Sequence, residues 1–93
     1  MQTKKLILAP HTIGRYEVKL DTYFFFNAQS CNFWETDKIT GSVVASLDGT
    51  LSFEDIISLL HENNPNVQAC ELKEHFGKIF EFLLKEGYIC ENI

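Results

Sequence analysis

Long apolar runs are missing from this chain of 93 residues, and proline and cysteine are scarce, with two and three residues. A membrane-spanning helix needs about 18 or more consecutive apolar residues, so we expect no membrane segment. A secretory signal is not expected either, because Pro10 stops the short apolar stretch Leu6–Ala9. Cys31, Cys70 and Cys90 are odd in number and far apart, which disfavours a disulfide framework and favours a reducing, cytoplasmic setting.

Positive charge is also in short supply. Eight Lys and Arg residues face 13 Asp and Glu residues, which gives a net charge of −5. Because phosphate binding depends on clustered Lys and Arg side chains, we expect no nucleic-acid partner.

Signals for chemistry are weak as well. His61, Cys70 and His75 flank one expected loop, but no CxxC or HxxxH pair supports a metal site. Cys31 shows no evident base that would activate it as a nucleophile. Ser42 follows a glycine, whereas the modified serine of an all-helical acyl carrier follows an aspartate. We therefore expect no catalytic residues, no metal and no cofactor.

What the chain does have is apolar material for one core, with 45% hydrophobic and 13% aromatic residues. A chain of this length allows a single domain. Residues 1–12 are expected to be a loosely held N-terminal arm, within which 6–8 either adds a short strand or packs on a neighbour. The domain itself is expected over residues 13–93.

Alternation and aromatic content predict three strands in the first half. Residues 15–20 alternate, with Tyr16, Val18 and Leu20 expected on the buried face. The aromatic run at 23–26 predicts a second strand, and Asn27–Ser30 a hairpin turn. Residues 31–36 then predict a third strand, which completes an antiparallel meander and has Phe33 and Trp34 on opposite faces.

Capping residues predict three helices in the second half. Asp37 is expected to cap a helix over residues 38–47 that ends at Asp48–Gly49. Ser52–Asp55 has capping-box spacing and starts a second helix that runs to about His61. A third helix is expected from about residue 67 to 86, with Gly87 just beyond its end and a short extended tail after it.

The third helix carries more apolar residues than one stripe requires. Its central stripe is formed by Leu72, Phe76, Ile79, Phe80 and Leu83. Phe82 and Leu84 lie on either side of that stripe and widen the apolar arc to roughly 200°. Two explanations remain open: the helix is buried by both sheet and helices, or one flank lines a groove left open for a ligand.

The order of these motifs resembles the PqqD-like family, the RiPP recognition elements that bind leader peptides of ribosomally made, modified peptides. The resemblance rests on Phe33–Asp37 entering the first helix, on Asp48–Gly49, on Ser52–Asp55 and on residues 83–89 at the end of the third helix. It covers about residues 10 to 90. Thr36 and Asp37 depart from it, because Leu-Asn is usual there, and so does the aromatic run of the second strand.

The resemblance implies an α+β, winged-helix-like fold, with a three-stranded antiparallel sheet followed by three helices. It also implies that a leader peptide adds as a fourth strand beside the third strand, against the third helix. The residues expected to bind the peptide are Asn32, Phe33, Trp34, Glu35, Thr36, Lys73, Phe76, Phe80 and Leu84. Free-standing members do no chemistry themselves and present the peptide to a separate modifying enzyme, often a radical S-adenosylmethionine (radical SAM) enzyme.

Other functions remain open on the sequence. The domain could instead be a constitutive docking subunit of such an enzyme, or a winged-helix DNA-binding protein. The third helix, however, mixes three lysines with several glutamates, which is unusual for a helix that faces phosphates. An exposed edge strand would also allow a homodimer through that edge.

Overall fold

The structure, a computed structural model, describes residues 4–92 and has an α+β fold with six strands in two antiparallel sheets and three helices. The elements in chain order are β1 (Lys5–Leu8), β2 (Thr12–Glu17), β3 (Thr22–Asn27), β4 (Asn32–Asp37), α1 (Lys38–Ala45), β5 (Asp48–Ser52), α2 (Phe53–Asn63), α3 (Ala69–Lys85) and β6 (Ile89–Asn92). The expected three strands and three helices are therefore present, and three further strands join them.

The first sheet is the expected meander, with strand order β2-β3-β4. Its first strand begins earlier than the alternation predicts and ends at Glu17. The expected burial of Val18 and Leu20 is wrong, because both lie in the turn beyond β2 and are largely exposed. That turn passes through Asp21, which has a positive φ of 49°.

The second sheet has the order β5-β1-β6 and is not expected from the sequence. Its central strand comes from the range 1–12, where a loosely held arm is expected. Leu6 is fully buried there and pairs with Leu51 on one side and Glu91 on the other. The apolar side chains of 6–8 thus add a strand, the first of the two options left open by the sequence. Residues 1–3 of the expected arm lie outside the described residues.

Capping residues set the helix starts as predicted. The Asp37 carboxylate accepts a hydrogen bond from the backbone N–H of Thr40 at 3.2 Å and caps α1. Ser52 and Asp55 form a complete capping box at the start of α2. Hydrogen bonds with Ser52, and a nearby Lys5 ammonium, hold the pKa of Asp55 below its ordinary value.

Helix ends follow the expectation at one place and depart from it at another. Gly87 has a φ of 80° and follows α3, where its N–H bonds to Leu84 O and the N–H of Tyr88 bonds to Leu83 O. These two bonds form a Schellman motif. In contrast, α1 ends at Ala45, and Gly49, with a φ of 89°, lies within β5 rather than at the helix end.

The core lies between the sheets and the helices. Phe25 of β3, Phe53 of α2, Phe80 of α3 and Tyr88 before β6 are among its largest fully buried side chains. Within residues 4–92 no helix is long and apolar enough to cross a membrane.

Candidate functional site: the open edge of β4

Strand β4 forms one edge of the first sheet. It pairs with β3 along its whole length, from Asn32 opposite Asn27 to Asp37 opposite Thr22. Within residues 4–92 no strand pairs with its other side. An edge of this kind leaves a row of backbone donors and acceptors available to another chain.

One hydrogen bond of the first sheet establishes which backbone groups face that edge. The N–H of Ala28 donates to the carbonyl oxygen of His11 at 2.9 Å, just beyond the ends of β2 and β3. In an antiparallel sheet a residue directs its N–H and C=O to the same side, and this side alternates along the strand. The even-numbered residues of β3 therefore bond to β2, and its odd-numbered residues bond to β4.

This alternation continues into β4. Trp34 and Thr36 lie opposite odd-numbered residues of β3 and so exchange backbone bonds with that strand. Phe33 and Glu35 consequently direct their N–H and C=O groups toward the open edge. Between Asn32 and Thr36 the edge thus offers two residues with which an added strand can pair.

The side chains of β4 alternate between the two faces of the sheet, as the sequence predicts for Phe33 and Trp34. Trp34 turns inward and packs on Phe25 with ring centroids 5.6 Å apart. Its ring also lies 6.5 Å from that of Phe82 on α3 and 6.4 Å from that of Tyr88. Phe33 turns to the outer face, where it is 72% exposed.

A hollow lies between the inner side of β4 and α3. It has a volume of about 270 Å³ and is lined by Trp34, Lys78, Ile79 and Phe82, which we name the β4–α3 depression. Trp34 and Phe82 give it largely apolar walls directly beside the open edge. A side chain from a strand added along β4 would enter it from the inner face of the extended sheet.

A second, larger hollow of about 490 Å³ continues along α3 and shares Lys78 and Ile79 with the first. Its remaining lining residues are Glu71, Glu74 and His75. The Lys78 ammonium lies 3.9 Å from the Glu74 carboxylate, and both side chains are well exposed, so this ion pair contributes little to stability. Four of its five lining residues have ionisable side chains, so this hollow suits an apolar side chain less well than the β4–α3 depression does.

Two aromatic residues expected in the peptide site lie in the core instead. Phe76 is 5% exposed and Phe80 is fully buried. Phe80 packs edge-on against Phe53 of α2 at 5.6 Å and against Phe76 at 6.3 Å. In this structure α3 is rotated so that both rings face α2 and the core, and neither is open to a direct peptide contact.

The other two residues expected on α3 also lie away from β4. The Lys73 ammonium pairs with the Glu54 carboxylate of α2 at 3.3 Å. Leu84 is half-buried against the core and lies about 200° around the helix from Phe82. Neither residue lines the β4–α3 depression.

In the structure, the residues of α3 that face β4 are Lys78, Ile79 and Phe82. The sequence analysis expects other residues of this helix there. In the sequence pattern, Phe82 lies outside the central stripe of α3 and Ile79 lies within it. What the pattern lacks is the rotation of α3 about its axis, which packing against Phe53 and Tyr88 establishes.

Two ionisable groups near the edge have shifted pKa values. Hydrogen bonds from Thr40, and a weaker one from Thr36, hold the pKa of Asp37 below its ordinary value. Burial, and then the charge of Glu86, raises the pKa of the Tyr88 phenol. Among residues 4–92 no group of three or more His, Cys, Asp or Glu side chains could hold a metal ion.

No protein-family model matches the chain, and no curated protein matches it. Among solved structures the chain is similar to TbiB1, whose structure was determined in complex with the TbiA(beta) leader peptide. The TM-score is 0.73 at 10% sequence identity, and the match covers 89% of this chain and 93% of TbiB1. The two proteins share a fold. TbiB1 was solved with a leader peptide, the kind of ligand that the sequence resemblance implies. The resemblance is thereby confirmed at the level of the fold.

Proposed function

We propose that this protein binds the leader segment of a ribosomally made precursor peptide as an added strand along β4, on a winged-helix-like fold. It then presents the peptide to a separate modifying enzyme, such as a radical SAM enzyme, in the cytoplasm. The observation that carries the proposal is the outward-facing backbone of Phe33 and Glu35 directly beside the apolar β4–α3 depression.

The open edge and the β4–α3 depression contribute differently to peptide recognition. Main-chain hydrogen bonds to Phe33 and Glu35 set the register of the peptide whatever its sequence, as in other cases of strand addition. The depression at Trp34 and Phe82 selects for a side chain, because burying an apolar group there contributes about 1.5–3 kcal/mol. The edge thus contributes affinity without selectivity, and the depression contributes both.

The residues proposed to bind the peptide follow from this geometry. They retain the whole of the expected β4 segment and replace the expected α3 residues by those of the depression: Asn32, Phe33, Trp34, Glu35, Thr36, Lys78, Ile79 and Phe82. The fold match with TbiB1 supports the class of ligand. The protein's own role is capture and presentation, without a chemical step.

Amide hydrogen exchange tests this proposal at single residues. Isotope-labelled protein is titrated with synthetic peptides that copy the first half of each short reading frame beside its gene. In the free protein the amides of Phe33 and Glu35 should exchange quickly, whereas those of Trp34 and Thr36 are protected by β3. A bound leader peptide should slow exchange at Phe33 and Glu35 and leave Trp34 and Thr36 nearly unchanged.

Two results would count against the proposal, and a third would indicate self-association. Binding without protection of Phe33 and Glu35 would contradict strand addition. Absence of binding by every peptide, with the protein folded, would favour a constitutive docking subunit, which should then co-purify with its enzyme. Protection at the same two amides that rises with protein concentration alone would indicate a homodimer through β4.

A further inference from the structure

We infer that the bound peptide is read on both faces of the first sheet, through Phe33 and Glu35 on the outer face as well as through the β4–α3 depression on the inner face. This inference rests on the proposed function and names the class of peptide. The peptide should carry three consecutive residues: a central apolar one, flanked by an apolar residue beside Phe33 and by Lys or Arg beside Glu35.

The first observation is an apolar row across the outer face of the sheet. Ile13, Phe26 and Phe33 lie directly opposite one another on β2, β3 and β4, and we name them the outer row. The rings of Phe26 and Phe33 are 4.9 Å apart, whereas Phe33 remains 72% exposed and Ile13 63% exposed. Phe33 therefore has an aromatic neighbour on the β3 side and an uncovered side toward the open edge.

The second observation is the charge at the next outward-facing position of β4. Glu35 is exposed, and within residues 4–92 the structure pairs it with no cation. Arg15 lies on the same face but two strands away, which is about 10 Å. Asp37, the following residue on this face, is engaged in capping α1. Glu35 is thus the carboxylate that a neighbouring strand would meet.

Side chains alternate in direction along an added strand, so the positions of Phe33, Trp34 and Glu35 determine which residues the peptide must carry. The peptide residue beside Trp34 points to the inner face and enters the depression, so the residues before and after it point to the outer face. One of these lies beside Phe33 and extends the outer row by one position. The other lies beside Glu35, where opposite charges across strands are favourable and like charges unfavourable.

The order of the three residues depends on the direction of the peptide. If it runs antiparallel to β4, the basic residue comes first. If it runs parallel, the basic residue comes last. In both cases the central apolar residue faces Trp34.

Selection from a random peptide library tests the inference even while the natural leader is unidentified. A displayed library of 12-residue peptides is selected on the wild-type protein and on two variants. The wild type should enrich the apolar–apolar–basic triplet in one of its two orders. Glu35→Lys should enrich peptides with Asp or Glu at the basic position, and Phe33→Thr should lose the preference for an apolar residue beside it.

Ile13→Thr provides the matched control for Phe33→Thr. Ile13 is similarly exposed and belongs to the same outer row, but it lies two strands away from the edge where the peptide binds. Its substitution should leave the enriched peptides unchanged. For a selected peptide, exchange of Lys for Glu should weaken binding to the wild type about two- to fivefold, and Glu35→Lys should restore it.

The inference and the proposed function fail in different ways. Selected peptides that protect the amides of Phe33 and Glu35 but lack the triplet would overturn reading on the outer face and leave strand addition intact. Identical enrichment by wild type and Glu35→Lys would overturn the role of Glu35. If no peptide is enriched by the folded protein, both the inference and the proposed function are contradicted.

Discussion

Two phenylalanines on one helix show how position around the axis decides the role of a residue. Phe76 and Phe82 are six positions apart on α3, which places their side chains about 120° apart around the axis. Phe76 is 5% exposed and faces the core, whereas Phe82 is 43% exposed and lines the β4–α3 depression. The same side chain therefore stabilises the fold at one position and is available to a ligand at the other.

Alanine substitution should lower mainly the stability of the fold at one of these positions and mainly the peptide affinity at the other. Phe76→Ala should lower the free energy of unfolding by about 3 kcal/mol, because it removes a buried ring and leaves a cavity. Phe82→Ala should weaken peptide binding roughly tenfold, which corresponds to about 1.4 kcal/mol, and change stability much less. Urea denaturation measures the first effect, and calorimetric titration of a bound peptide measures the second.

Leu59→Ala is the control for Phe82→Ala. Leu59 has a similar exposure of 46% but lies on α2, away from the depression. Its substitution should leave peptide affinity unchanged. Equal losses of affinity for the two variants would remove Phe82 from the proposed site.

The capping carboxylate of Asp37 makes a pH-dependent contribution to stability. Hydrogen bonds led by Thr40 lower its pKa in the folded protein. Its contribution is therefore fully present above the ordinary aspartate pKa of about 3.9 and is lost as the pH falls through the lower folded value. Asp37→Asn keeps a capping oxygen but cannot titrate, so the wild type should lose more stability than this variant between about pH 5 and pH 2.5. Urea denaturation across this range measures the difference, and parallel curves would contradict it.

At the scale of elements, the packing of helices on the first sheet depends on where glycine is placed. Gly41 lies in the middle of α1 and is buried, and a Cβ added there would clash with the side chain of Tyr23. Gly77 lies in α3, where an added Cβ would meet Phe53 at an ordinary contact distance of 3.8 Å. The first glycine allows helix and sheet to approach, and the second has no such role.

Alanine at these two glycines should therefore change stability in opposite directions. Gly41→Ala should destabilise the protein despite the higher helix propensity of alanine, because α1 must move away from β3. Gly77→Ala should stabilise it by up to about 1 kcal/mol, the difference in helix propensity. Thermal and urea denaturation of both variants test this, and stabilisation by Gly41→Ala would show that the close approach is not required.

Proline substitutions at neighbouring positions of β4 should distinguish the residues that bond to β3 from those that face the open edge. Trp34→Pro removes a donor that bonds to β3 and should destabilise the fold. Glu35→Pro removes a donor that faces the open edge, where proline is tolerated, so it should weaken peptide binding while the protein stays folded. Circular dichroism checks folding and titration checks affinity. If Glu35→Pro binds as well as the wild type, the assigned register is wrong.

At the scale of the whole molecule, the second sheet joins the two ends of the described chain. β1 lies between β5 and β6, and it contributes the fully buried Leu6 to the core. Near this sheet, the hydroxyl of Thr12 donates to the carbonyl oxygen of Tyr88, and the side-chain amide of Asn27 donates to that of Glu86. The first sheet is thereby held against the end of α3, which positions β4 beside the depression.

Removal of residues 1–8 should consequently disrupt the second sheet and the core. Loss of β1 separates β5 from β6 and uncovers the core at Leu6, so we expect loss of cooperative unfolding and of peptide binding together. Removal of residues 1–3 alone provides the comparison. Thermal denaturation and the dispersion of amide resonances measure the outcome, and a cooperative transition near that of the full chain would contradict the role given to β1.

Local chemistry determined much of this protein from sequence alone. The capping groups of Asp37 and Ser52, the glycine after α3 and the aromatic alternation of β4 act over a few residues, so their structures could be predicted. The tertiary structure alone decided the pairing of β1 between β5 and β6, since these strands are short and far apart in sequence. It also decided the rotation of α3, which buries Phe76 and Phe80 and turns Phe82 toward β4, because a wide apolar arc is compatible with several rotations until the neighbouring side chains select one.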